Sequence, residues 1–165
     1  MRFMQYIIIG RVMKKDLKIV LEKKQLSKPC AEVVDLQEGK KIGQMLLEYL
    51  EKSNNGVGLA ANQVGIDARV CVINVKRPII LVNPKIEGSF KKIKFQEGCL
   101  SFPGAYIITE RYENILVSAD NHPSKMIFDK ESGLLECVCV QHEIDHLNGI
   151  TMYERQTKGV LNGEG

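Results

Sequence analysis

The 165-residue chain has the size of one domain, and a 44% hydrophobic content lets it bury a core without disulfide or zinc staples. A formal charge of +3 is too weak for the concentrated basic stripe of a dedicated nucleic-acid binder, so direct nucleic-acid binding is not expected. Five cysteines without disulfide-framework spacing, and an apolar stretch at Ile7–Ile9 too short for a signal peptide or a membrane span, point to a soluble cytoplasmic protein. An organelle stroma or matrix is the alternative compartment.

Residues 1–30 are lysine-rich and loosely patterned, and Lys14, Lys15, Lys18, Lys23, Lys24 and Lys28 read as a solvated face. Ile42, Met45, Leu46, Tyr49 and Leu50 repeat at helical spacing and predict an amphipathic helix over 40–52, stopped by Asn54-Asn55-Gly56. Residues 56–65 (Gly-Val-Gly-Leu-Ala-Ala-Asn-Gln-Val-Gly) form a small-residue segment. It has neither the glycine spacing of a dinucleotide fingerprint nor the Gly-Lys-Ser/Thr of a phosphate loop. The β-branched runs Arg69–Val75 and Pro78–Asn83 predict two strands joined through Lys76-Arg77-Pro78. Ile93–Phe95, Tyr106–Thr109, Ile115–Ser118 and Lys125–Phe128 predict further short ones. Leu134–Ile144 is an apolar run holding Gln141, His142 and Glu143, which predicts a buried helix ended by Asn148-Gly149. The pattern is α+β, with antiparallel strands around one buried helix.

The strongest chemical signal is His142-Glu143-Ile144-Asp145-His146. On a helix, positions i and i+4 share a face, so both imidazoles can reach one metal ion while Glu143 stands close as a base that is not a ligand. An ordinary surface helix is a poor alternative, because two of only three histidines would fall by chance in an apolar run. A catalytic site of this kind takes three protein ligands. Downstream of His146 there is no His or Cys, and Glu154 is the remaining candidate there. Upstream, Gln96-Glu97-Gly98-Cys99-Leu100-Ser101 offers Cys99 as a thiolate beside a glycine. Cys99 on its own reads more readily as a buried small hydrophobe, the commonest fate of a free cysteine.

Together, Gly56-Val57-Gly58-Leu59-Ala60-Ala61-Asn62-Gln63, Glu97-Gly98-Cys99-Leu100-Ser101 and His142-Glu143-Ile144-Asp145-His146 resemble the three signature motifs of peptide deformylases, in the family's order and at roughly its separations. The resemblance runs from about Lys18 through Asn148-Gly149 and takes in Lys28-Pro29, Asn83-Pro84 and Pro103-Gly104. It implies one catalytic domain over 1–165, with 1–15 an extension of unassigned role, and antiparallel sheets around a central helix carrying the His-Glu-x-x-His. The activity implied is removal of the N-formyl group from formyl-methionyl nascent polypeptides, releasing formate. Cys99, His142 and His146 would hold one divalent metal ion: Fe2+ in the cell, with Ni2+, Co2+ or Zn2+ able to occupy the site in preparations. A metal-bound water would attack the formyl carbon with Glu143 as general base and acid. Gln63 and the Leu100 backbone N–H would steady the oxyanion. Gly58 would pair with the substrate backbone, and Leu135, Val138 and Cys139 would wall the methionine pocket.

Some features depart from the family pattern. The ribosome is a candidate partner, but only Ile150–Gly165 follow the motif helix, which puts docking through a long C-terminal helix in doubt. Phe102 replaces a commonly aliphatic residue, and Gly104-Ala105-Tyr106 lacks an Arg found near there in some members. Two rivals remain: a zinc endopeptidase, and a non-enzymatic metal-binding domain using Cys99, His142 and His146.

Overall fold

The computed structural model describes residues 17–54, 56–159 and 161. The expectations for Ile7–Ile9, Lys14, Lys15 and Asn55, and for the extension 1–15, lie outside the described residues.

A short helix, α1 (Lys23–Leu26), precedes the amphipathic helix α2 (Leu36–Lys52). Helix α2 begins four residues earlier than the sequence pattern predicts. Its first turn, Leu36-Gln37-Glu38-Gly39, has one apolar residue and a glycine, and it forms because Asp35 caps it, accepting hydrogen bonds from the N–H groups of Gln37 (2.8 Å) and Glu38 (3.4 Å). Such a cap is worth about 1 kcal/mol.

Three antiparallel strands, β1 (Gly58–Ala60), β2 (Val70–Asn74) and β3 (Pro78–Val82), form a sheet in that order. Val72 pairs with Leu59 on one side and Ile80 on the other. Helix α2 covers one face, where Leu46 and Leu50 pack with Leu59, Val70, Val72 and Val82. The buried helix α3 (Lys130–Leu147) covers the other, where Val140, Ile144 and Leu147 pack with Cys71, Ile73 and Leu81. Because both faces are covered, Val70–Ile73 is buried throughout and shows no polar alternation.

A second antiparallel sheet holds β4 (Lys85–Cys99), β5 (Phe102–Ser118) and β6 (Met126–Asp129). The predicted strands at 106–109 and 115–118 are two stretches of the one strand β5, and 93–95 is one stretch of the 15-residue β4. These strands extend beyond their apolar runs because the β4–β5 ladder pairs nearly every residue while the outer face stays polar. Ile93, Ile115, Val117 and Phe128 point inward. Helix α3 therefore sits between the two sheets. Gly133, near its start, is extended (φ 160°, ψ 99°), so the continuous helix begins after it, where the sequence places it. It ends at Gly149 (φ 74°), whose missing side chain lets the Ser27 and Pro29 backbone approach. Among the described residues no helix is long and apolar enough to cross a membrane.

Candidate active site

Each chemical segment ends up at the same place for a different structural reason. His142 and His146 are one helical turn apart on α3, and their Nε2 atoms lie 3.1 Å apart. Cys99 is the last residue of β4, and its Sγ lies 3.3 Å from His146 Nε2. The three donor atoms all lie within 4.8 Å of one another. A tetrahedral ion at usual zinc–sulfur and zinc–nitrogen distances would hold such atoms about 3.3–3.7 Å apart, so the donor set fits one ion. His146 is fully buried and His142 nearly so. Burial pulls His142 down, but the Cys99, Glu97 and Glu143 side chains outweigh it and hold the imidazole well above its ordinary range. Burial, with His142 and Arg111 nearby, holds His146 well below. Glu154 is not part of this cluster. Its carboxylate accepts from the Thr151 N–H (2.9 Å) and pairs with Lys23 (3.2 Å).

Glu143 lies beside the cluster, only 3% exposed, and its Oε2 has no hydrogen-bond partner among the described residues. Burial pushes its carboxyl up to about 7; His142 pulls it down and Glu97 pushes it up. Gly58 of β1 packs directly against it, since a Cβ there would come within 2.6 Å of both Glu143 Oε1 and Cys139 Sγ. Gln63 sits in the 3-10 turn Ala61–Val64 after β1. Its Oε1 accepts from the Ala60 N–H (2.9 Å), which turns its Nε2 toward Ser101 Oγ (3.2 Å) and Cys99 Sγ (3.4 Å). A cavity of about 530 Å³ opens onto this cluster. Its lining includes Gly58, Gln63, Cys99, Leu100, Leu135, Val138, Cys139, His142 and Glu143. Every site residue implied by the resemblance except the fully buried His146 therefore lines it, and Glu154 does not.

The polypeptide deformylase family model matches residues 17–160. The chain belongs to the polypeptide deformylase family. It is 42% identical to peptide deformylase 2 of Vibrio vulnificus (strain CMCP6) over 122 residues, 72% of each chain. It is 35% identical to the peptide deformylase of Aquifex aeolicus over 146 residues, 83% of this chain and 85% of that one. A crystal structure of a Synechococcus elongatus peptide deformylase in complex with actinonin superposes with a TM-score of 0.77 at 36% identity, covering 90% of this chain and 85% of that one. A Met-Ala-Ser-bound peptide deformylase from Acinetobacter baumannii superposes at 0.73 and 28% identity, covering 87% and 99%. The chain is thus an enzyme of the deformylase class, in a metal-dependent family, and its Cys99, His142 and His146 form a candidate metal site.

Behind the deformylase motifs lies a buried ionic network that sequence reasoning missed. Glu97 Oε2 is 3.6 Å from His142 Nδ1, an ion-pair distance longer than a hydrogen bond. Arg111 donates to both Glu97 oxygens (2.6 and 3.3 Å) and to Asp145 Oδ2 (2.6 Å). Burial raises the Glu97 carboxyl, but His142 and Arg111 prevail and hold it below the usual range. Glu97 and Asp145 sit inside the recognised motifs. Arg111 carries no local signal, because Glu110-Arg111-Tyr112-Glu113 reads as a polar stretch. Breaking a buried pair leaves an uncompensated charge, at a cost of about 3–5 kcal/mol. Glu97→Ala is expected to destabilise the deformylase by that order in denaturant unfolding. A change below 1 kcal/mol would mean the network is dispensable for stability.

Proposed function

We propose that the protein is a metal-dependent hydrolase that removes the N-formyl group from formyl-methionyl nascent polypeptides and releases formate. The observation that carries this reading is one cavity lined by the Cys99 thiol, the His142 imidazole and the buried Glu143 carboxyl, whose Oε2 has no partner among the described residues, with the His146 imidazole 3.1 Å behind His142. Cys99, His142 and His146 would hold a divalent ion, Fe2+ in the cell, with Ni2+, Co2+ or Zn2+ in preparations. When bound, the ion supplies Lewis acidity toward the formyl oxygen and lowers the pKa of water in the site.

The other roles belong to the chain's own groups. Glu143, raised to about 7 by burial, is poised to take a proton from the attacking water near neutral pH and return it to the leaving amine nitrogen. The Gln63 amide, fixed through Ala60, and the Leu100 backbone N–H serve as donors to the developing oxyanion. Gly58 on β1 offers backbone pairing to an extended peptide, and Leu135, Val138 and Cys139 offer apolar wall to the methionine side chain. The Acinetobacter baumannii relative is bound to Met-Ala-Ser, a peptide that begins with methionine, which supports a substrate of that class. The family match over 17–160 supports one catalytic domain, acting in the cytoplasm on nascent chains.

Gln63→Ala is expected to lower kcat/KM by an amount corresponding to about 2.7–4 kcal/mol of lost transition-state stabilisation. A loss confined to KM would instead make Gln63 a binding residue. The function itself is tested by incubating metal-loaded protein with formyl-Met-Ala-Ser and, separately, with an unformylated peptide. Formate and Met-Ala-Ser in equal amounts, with the second peptide intact, is the expected result. Internal cleavage without formate would place the chain with the zinc endopeptidases.

A further inference from the structure

The buried ionic network does not stop at Asp145. Arg155 lies in the 3-10 turn Met152–Arg155 that follows α3. It clamps Asp145 with both ends of its guanidinium, Nε to Oδ2 at 2.9 Å and Nη2 to Oδ1 at 2.8 Å. The same Oδ2 receives Arg111 at 2.6 Å, Arg111 forks on Glu97, and Glu97 faces His142 Nδ1. Arg111, Asp145 and Glu97 are each no more than 6% exposed, whereas the Arg155 side chain is 42% exposed. Arg155 also lines a second, polar cavity of about 770 Å³, together with Arg69, Asn83, Asp145 and Asn148. That cavity shares no lining residue with the one proposed to take substrate.

We propose that Arg155 is a positioning residue for the proposed metal centre, acting on His142 from outside the substrate cavity. Two buried carboxylates, Glu97 and Asp145, share the single buried guanidinium of Arg111. With Arg155 in place each of the two carboxylates has a guanidinium of its own to lean on. Without it, Asp145 Oδ1 loses its Nη2 donor and Arg111 is drawn toward Asp145. Glu97 is then released from its fork, and His142 loses the fixed carboxylate that orients its ring. Groups behind a ligating histidine act in this way on metal affinity. The turn itself has other anchors: Lys23 pairs with Glu154 at 3.2 Å and lies 5.4 Å over the Tyr153 ring, and Phe102 meets Tyr153 edge-on at 5.0 Å. Holding the turn in place therefore does not require Arg155.

This inference rests on the metal-dependent function proposed above, so the test first requires wild-type protein to bind cobalt with a thiolate absorption band and to release formate. Failure there counts against the proposed function and not against Arg155. Given that, Arg155→Gln, Arg155→Lys and Lys23→Ala are compared for zinc affinity by chelator competition, cobalt absorption, kcat and KM. Arg155→Gln is expected to weaken zinc binding roughly 10–100-fold, to shift the cobalt bands and to lower kcat with KM little changed. Arg155→Lys should recover part of each, and Lys23→Ala should leave the cobalt spectrum as in wild type. Wild-type zinc affinity and cobalt bands in Arg155→Gln would overturn the proposal, as would Lys23→Ala reproducing the same changes. If Arg155→Gln does not fold, Arg155→Lys decides: intermediate affinity supports the role, and wild-type affinity with unshifted bands overturns it.

Discussion

Glu143→Ala is expected to lose activity by about 10²–10⁴-fold, the usual contribution of a general acid–base, while still binding one metal ion per chain. The loss should fall on kcat, because Glu143 is assigned to proton transfer and not to holding substrate. Its carboxyl is almost fully buried, its Oε2 is unpartnered among the described residues, and burial lifts it to about 7. A structural carboxylate at this depth would be expected to carry a cation or several donors, as Glu97 and Asp145 do. Metal content and single-turnover formate release are the measurements. A variant that lost its metal yet kept normal activity per bound ion would reverse the assignment and make Glu143 a ligand.

Cys99→Ser is expected to weaken metal binding more than the roughly 10–100-fold typical of a group behind a ligand, because it removes one of three donors. The serine hydroxyl is a hard oxygen donor in place of the soft sulfur of cysteine. The same thiol predicts a difference between metals. Iron-loaded protein should lose activity in air, with Cys99 gaining the mass of sulfinic or sulfonic acid, an irreversible change. Nickel-loaded protein should persist. Following activity and Cys99 mass together during aeration tests this. Equal lifetimes with Cys99 unmodified would argue against iron as the working metal, and full affinity in Cys99→Ser would remove the thiolate from the centre.

The candidate donor residues are legible in the sequence because each lies in a short contiguous segment. His142 and His146 share a helical face wherever the helix goes, and Cys99 is marked by the glycine before it. The α3 pattern is readable for the same reason, since an apolar run is what a helix between two sheets requires. Other elements are made by tertiary pairing and leave little trace. Strand β1 is only Gly58-Leu59-Ala60, without a β-branched residue, and exists because it pairs with β2. The long β4 hides behind Lys85, Lys91, Lys92 and Lys94, whose polar pattern reads as loop. Arg111 is the clearest case. Its neighbours Glu110 and Tyr112 face outward or partly outward, while pairing with Ile93 turns Arg111 inward between Glu97 and Asp145. No local pattern reports the pairing, because it depends on how β4, with Glu97 14 residues earlier in sequence, is laid against β5.

The most direct test of the site is an X-ray absorption spectrum of the zinc-loaded protein. One sulfur at about 2.3 Å and two imidazole nitrogens at about 2.0–2.1 Å are expected. The sulfur shell should vanish in Cys99→Ala and remain unchanged in Glu143→Ala and Glu154→Ala. A wild-type spectrum with nitrogen and oxygen alone, and with the oxygen lost in Glu154→Ala, would contradict the Cys99–His142–His146 centre.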